Sequence, residues 1–160
     1  MRNFISEDDI EQAILQKLGS EPFHYHILRC DPSPDKRELL DDGTGRVNKK
    51  QCVLPLVMRE TLNRLNPGVP SENLEEFVRE LSRDFSESDM SDINYKFYKK
   101  ICNGNKVVFN QRGKKEFALM RLVDFDHPEN NTFTAVSQMW IQGRFYWRRP
   151  DVLIFINGLI

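Results

Sequence analysis

One acid in this sequence occupies a position that calls for an explanation. Asp151 directly precedes Val152 to Ile156, a run of five apolar residues that is typical of a buried strand. A carboxylate beside buried apolar residues costs free energy unless a partner compensates it. Three interpretations remain open: a solvated residue at the start of the strand, an ion pair with Arg148 or Arg149, or a ligand of a divalent metal ion.

A second acid, Glu11, lies within a predicted opening helix. In the segment SEDDIEQAILQKLG, Ser6 is a candidate N-cap and acids fill the first turn, where the helix dipole favours them. Glu11 is expected beside the apolar stripe of this helix, near the border between its buried face and its solvent-exposed face. On its position alone, a solvated helix acid is the favoured interpretation. The predicted stripe consists of Ile10, Ile14, Leu15 and Leu18.

Basic residues are concentrated in the C-terminal part of the chain. Residues 1–92 contain 12 Lys and Arg against 19 Asp and Glu, whereas residues 93–160 contain 11 against 5, and the whole chain carries a net charge of −1. This asymmetry favours a polyanionic partner, although uneven sorting of charges between helices and a sheet would also produce it.

A basic-aromatic segment lies just before Asp151. Arg144, Arg148 and Arg149 are interleaved with aromatic residues, and such a patch can bind a phosphate backbone without reading bases. A solvated strand face is the competing interpretation. Lys114 and Lys115 are predicted at a hairpin tip, where they are either simple turn residues or a second set of phosphate contacts.

The elements that must position these residues form two regions of one domain spanning residues 1–160. Helical periodicity dominates residues 1–104, apart from a strand candidate at YHILRC, and a period of two dominates residues 105–160. We therefore expect an α+β fold, a mostly antiparallel sheet flanked by helices. The sequence contains no run of 18 apolar residues, so it predicts no membrane span. Three widely spaced cysteines favour reduced thiols and a cytoplasmic protein.

The segment RRPDVLIFINGL resembles the core of the N-terminal nuclease domain of type I restriction enzyme R subunits, a branch of the PD-(D/E)xK nucleases. Pro150-Asp151 matches the PD element, Val152 to Ile156 the following strand, and Asn157-Gly158-Leu159 its hairpin. Residues 123–143 resemble the segment that precedes this motif, and SEDDIEQAILQKL resembles the opening helix.

The resemblance implies Mg²⁺-dependent hydrolysis of double-stranded DNA on a restriction-endonuclease-like core. Asp151 is then the central catalytic metal ligand and Glu11 completes the site from the helix. The implied partners are the modification and specificity subunits, and ATP serves only a motor that would lie downstream in a full-length subunit.

The family motif continues beyond the residues of this sequence. In the family, a Glu-x-Lys follows on the next strand, and that position falls after Ile160. We therefore expect this chain to be a C-terminally truncated fragment that cuts DNA poorly on its own. A truncated, non-catalytic DNA-binding or assembly module with the same fold is the alternative.

Overall fold

A computed structural model describes residues 6–83 and 90–160 of the chain. In these two ranges the α+β prediction is confirmed, with helices before residue 104 and most strands after it. The helices are α1 (Glu7–Gly19), α2 (Pro55–Leu65), α3 (Ser71–Leu81) and α4 (Met90–Asn103). The strands are β1 (His26–Arg29), β2 (Asn105–Gln111), β3 (Lys114–Met120), β4 (Phe133–Ser137), β5 (Ile141–Gln142), β6 (Trp147–Arg148) and β7 (Val152–Ile156).

The strands form three small sheets rather than one continuous sheet. The central sheet has the order β1-β4-β7, in which β1 pairs with β4 in parallel and β4 pairs with β7 antiparallel. Strands β2 and β3 form one antiparallel ribbon, and β5 and β6 form another. Pairing is thus mostly antiparallel, as expected, and the parallel exception arises because the long connection through α2, α3 and α4 separates β1 from β4.

Helix α1 packs on the central sheet through a face that the sequence did not predict. The predicted capping box is present, with Ser6 and Asp9 bonding reciprocally. The buried residues, however, are Glu11 and Leu15, which lie one turn apart on the same face. Ile10 and Ile14 are 52% and 45% exposed, so the predicted stripe is wrong at these two positions. Helix α1 therefore places the carboxylate of Glu11 on the face that packs against the sheet.

The Asn-Gly turn after β7 is confirmed and anchors the end of that strand. Asn157 and Gly158 both have positive φ, and the carbonyl of Gly158 accepts a hydrogen bond from the backbone N–H of Leu54 at 2.8 Å. A Cβ on Gly158 would lie 2.6 Å from the Leu54 carbonyl oxygen, so only glycine fits there. Inside the turn, Asn157 Nδ2 donates to the Leu122 carbonyl. Strand β7 is therefore held firmly against the start of α2.

Two apolar clusters lie on either side of this anchor. One joins α2 and α3 to the end of the β2–β3 ribbon, and the other covers the β4–β7 pair. Within the described ranges, no helix is long and apolar enough to cross a membrane. The fully buried side chains include Leu15, Leu54, Met58, Leu62, Leu74, Met120, Leu122, Met139 and Phe155.

Candidate metal centre and its basic rim

Asp151 stands at the start of β7, where the ladder between β4 and β7 fixes its backbone. Ser137 is the register partner of Val152, and the Asp151 carbonyl accepts a hydrogen bond from the backbone N–H of Gln138 at 3.0 Å. The side chain of Asp151 is exposed. No ion pair among the described residues joins it to Arg148 or Arg149, so the structure does not contain the ion pair considered above.

Glu11 reaches the same place from α1, although 140 positions separate it from Asp151. The side chain is only 8% exposed, so the interpretation of Glu11 as a solvated helix acid is wrong. The reason is that α1 packs on the sheet through the Glu11–Leu15 face. A carboxylate this buried is costly unless donors or a cation compensate it.

A single carboxamide connects the two acids. Gln138 Nε2 donates to Glu11 Oε2 and also lies 3.3 Å from Asp151 Oδ1. The structure therefore brings the two predicted site residues together around one shared donor. The other end of the carboxamide, Gln138 Oε1, is buried and has no hydrogen-bond partner.

The sequence did not predict a role for Gln138, even though this residue lies within residues 123–143, which resemble the family. The residue follows β4 directly and has a φ of 56°, an unusual backbone conformation for a residue other than glycine. The available signal was a long polar side chain between Ser137 and Met139, both buried, at the end of an apolar strand.

The donor set suits a divalent cation that prefers oxygen. Mg²⁺ binds one or two protein carboxylates and keeps several waters. The site offers two carboxylates, and the Gln138 carboxamide that contacts both carries an unpartnered oxygen at its other end. Among the residues that the structure describes, no group of three or more His, Cys, Asp or Glu side chains could hold a metal ion.

The predicted basic-aromatic segment forms the β5–β6 hairpin next to Asp151. The guanidinium groups lie over aromatic rings: Arg144 is 5.2 Å from the ring centroid of Phe145, and Arg148 is 6.0 Å from that of Tyr146. Both rings are largely exposed, at 77% and 70%. Arg149 differs because its Nη1 donates to the carbonyl of Pro32 at 2.9 Å, which ties the hairpin to the loop after β1.

The two lysines predicted at a hairpin tip are confirmed in that position. Lys114 and Lys115 begin β3 and pair with Gln111 and Asn110 of β2. Both lysines are exposed. They belong to a different sheet from the one that carries Asp151.

A second buried polar cluster lies in the loop before α2. The Asp42 side chain, 10% exposed, accepts hydrogen bonds from Arg46 Nη2 at 2.8 Å and Lys49 Nζ at 2.6 Å. Thr44 donates to the same carboxylate through its backbone and its hydroxyl. Burial alone would raise the pKa of Asp42, but the hydrogen bonds from Lys49, Thr44 and Arg46 outweigh it and lower the pKa to about 2.

Comparisons with known proteins identify the family of the chain. Residues 4–160 match the family described as type I restriction enzyme R protein N terminus (HSDR_N). The chain is 34% identical over 159 residues to the type I restriction enzyme HindI endonuclease subunit of Haemophilus influenzae. It is 27% identical over 159 residues to the putative type I restriction enzyme MjaIXP endonuclease subunit of Methanocaldococcus jannaschii. These matches cover 97% and 94% of the chain and 14% of the length of each relative.

The chain therefore belongs to the family of type I restriction enzyme R protein N termini. The resemblance drawn from residues 105–160 and from the opening helix is confirmed at the level of the family. Because the chain spans 14% of the length of these relatives, the activity of a whole subunit is a matter for the proposal below.

Proposed function

We propose that this chain is the N-terminal nuclease domain of a type I restriction enzyme R subunit, with Glu11 and Asp151 as the ligands of a catalytic Mg²⁺ ion. The observation that carries the proposal is the convergence of a buried carboxylate on α1 and a carboxylate at the start of β7 on one carboxamide. The proposed reaction is hydrolysis of a DNA phosphodiester, which membership in this family and the similarity to an endonuclease subunit support.

Each proposed ligand is held by an element that cannot easily move. Asp151 is fixed by the β4–β7 ladder and by the Asn-Gly turn at the far end of β7, and Glu11 is fixed by the packing of α1. Such rigidity is what a metal site needs, since it holds the ligand oxygens in place before the ion arrives. When bound, Mg²⁺ would activate the attacking water and neutralise charge on the phosphate.

DNA contact is proposed for the exposed cations. Arg144 and Arg148 stand on the hairpin that leads directly into Asp151, so a phosphate backbone lying on them would pass close to the metal site. Arg149 would support this surface by anchoring the hairpin. Lys114 and Lys115 would contact a more distant part of the duplex.

The 160 residues contain no Glu-x-Lys sequence. They therefore hold two of the site residues that the family resemblance implies, Glu11 and Asp151, and lack that glutamate and lysine. We therefore propose that the isolated chain cuts DNA very poorly. In a complete R subunit the partners would be double-stranded DNA and the modification and specificity subunits, ATP would drive a separate motor, and the complex would act in the cytoplasm.

Cleavage assays with Mg²⁺ test this proposal at two levels. The isolated chain should show no cleavage above background. An R subunit carrying this domain, assembled with its partner subunits, ATP and a plasmid target, should cleave, and Asp151→Ala or Glu11→Ala should lower cleavage by about 100-fold or more while ATP hydrolysis is retained. Cleavage that survives both substitutions would overturn the assignment. An inactive complex with intact DNA binding would favour the non-catalytic module instead.

The DNA surface is tested by the salt dependence of binding. Replacing Arg144 and Arg148 by alanine should reduce the slope of log K against log salt by about 2, because each lost phosphate contact removes about 0.9. The variant Lys114→Ala with Lys115→Ala tests the lysines separately in the same assay. An unchanged slope for the arginine variant would exclude the β5–β6 hairpin from DNA binding.

A further inference from the structure

We propose that Gln138 is a third oxygen ligand of this metal site, and that its carboxamide turns over when the metal binds. Without metal, Nε2 faces the two carboxylates; with metal, Oε1 would take its place. The inference rests on the proposed function, because it assumes that Glu11 and Asp151 hold a divalent cation.

Gln138 Nε2 contacts one oxygen of each proposed metal ligand. Oxygen atoms at adjacent corners of a Mg²⁺ octahedron are about 3.0 Å apart, since each lies about 2.1 Å from the ion. Gln138 Nε2 lies 3.3 Å from Asp151 Oδ1 and in close contact with Glu11 Oε2. An oxygen in place of this nitrogen would lie beside both carboxylates, where a cation held by them could reach it.

The orientation of the carboxamide follows from what surrounds it. Facing two carboxylates, the amide must present its donor nitrogen, and this leaves Oε1 buried without a partner. A buried acceptor without a partner is destabilising. A divalent cation between the carboxylates would reverse the preference, because it attracts the oxygen and repels the N–H₂ group. A half-turn exchanges the two ends of a carboxamide without changing its shape.

The backbone presents this side chain to the site in a strained conformation. With a φ of 56°, Gln138 occupies the left-handed region, which is unfavourable for a residue other than glycine. The peptide group that precedes it is held by two hydrogen bonds: the Gln138 N–H donates to the Asp151 carbonyl at 3.0 Å, and the Ser137 carbonyl accepts from the N–H of Cys30 at 3.1 Å. Strain maintained by such bonds, next to two candidate ligands, is a common feature of functional sites.

Calorimetric titration with Mn²⁺ in the absence of DNA tests the inference on the chain itself. Gln138→Leu keeps the bulk but removes the oxygen, and it should weaken Mn²⁺ binding by about tenfold or more. Gln138→Glu supplies a carboxylate oxygen, and it should bind Mn²⁺ more tightly than the wild type while melting at a lower temperature in EDTA, since three acids then meet without a cation. The matched controls Gln111→Leu and Gln111→Glu, at an exposed glutamine of β2, should leave Mn²⁺ affinity unchanged.

The outcomes separate this inference from the function on which it rests. If Asp151→Asn abolishes Mn²⁺ binding but neither Gln138 variant changes it, Gln138 only holds the carboxylates and the inference is wrong, while the metal site stands. If the wild type and Asp151→Asn give the same titration, the metal site itself is wrong. Should Gln138→Leu fail to fold, the Gln138→Glu titration decides alone, because tighter binding is not expected of a purely structural residue.

Discussion

Two polar clusters in this molecule satisfy their carboxylates in opposite ways. Around Asp42, one carboxylate receives hydrogen bonds from two cations, Arg46 and Lys49, which are 3% and 5% exposed. Around Gln138, two carboxylates share one neutral N–H₂ group, and the amide oxygen has no partner. The first cluster is complete in the protein alone, whereas the second is short of positive charge.

The difference separates a cluster that stabilises the fold from the one that we propose as a metal site. A paired and fully hydrogen-bonded charge fixes a loop, and breaking it leaves an uncompensated charge behind. Carboxylates that are brought together with too few donors reduce stability, and proteins accept this cost at functional sites. Substitutions that neutralise one acid should therefore have opposite signs in the two clusters.

The largest effect is expected for Asp42→Asn. Removing this charge leaves Arg46 and Lys49 buried without a compensating anion, and breaking a buried pair in this way costs about 3–5 kcal/mol. Chemical denaturation at neutral pH measures the loss. Asp41→Asn is the matched control because Asp41 is adjacent and exposed. Equal stabilities of the two variants would show that the Asp42 cluster does not stabilise the fold.

A smaller effect of the same cluster should appear in acid. The pKa of Asp42 is about 2 in the folded chain and close to 4 when unfolded, so its stabilising contribution is complete above pH 4 and is lost as the pH falls toward 2. The loss should be about 1–2 kcal/mol after allowance for solvent screening. Urea unfolding between pH 2 and pH 5 measures it, and the Asp42→Asn variant should lack this part of the pH dependence. An identical pH dependence in the variant and the wild type would contradict the assignment.

The smallest effect, and the one of opposite sign, is expected for Glu11→Gln. The substitution keeps an acceptor for Gln138 Nε2 but removes a buried charge that lacks a cation, so the metal-free chain should gain about 1 kcal/mol. Denaturation in EDTA measures the gain, and Glu60→Gln, at an exposed position of α2, is the control. A loss of stability comparable to that of Asp42→Asn would erase the distinction between the two clusters.

The sequence predicted those parts of the site that depend on local patterns. Asp151 before an apolar strand and Asn157-Gly158 after it are signals carried by neighbouring residues, and both were confirmed in place. The capping box at Ser6 and the hairpin tip at Lys114 were predicted for the same reason.

Features that depend on packing between distant segments were not predicted. The buried face of α1 is set by its rotation on the sheet, which places Glu11 inward and leaves Ile10 and Ile14 exposed against the apolar pattern. Gln138 meets Glu11 across 127 positions and carries no motif of its own. The cations around Asp42 were not predicted either, because nothing in the local sequence reveals that Arg46 and Lys49 are buried.

The most direct test of the account is a crystal structure of the chain soaked in Mn²⁺, with anomalous differences recorded at the manganese edge. We predict a single strong peak within about 2.2 Å of an oxygen from each of Glu11, Gln138 and Asp151. The Gln138 carboxamide should be turned relative to its metal-free position. A map with no peak at this site, or a peak bound elsewhere while Gln138 Nε2 still faces both carboxylates, would contradict it.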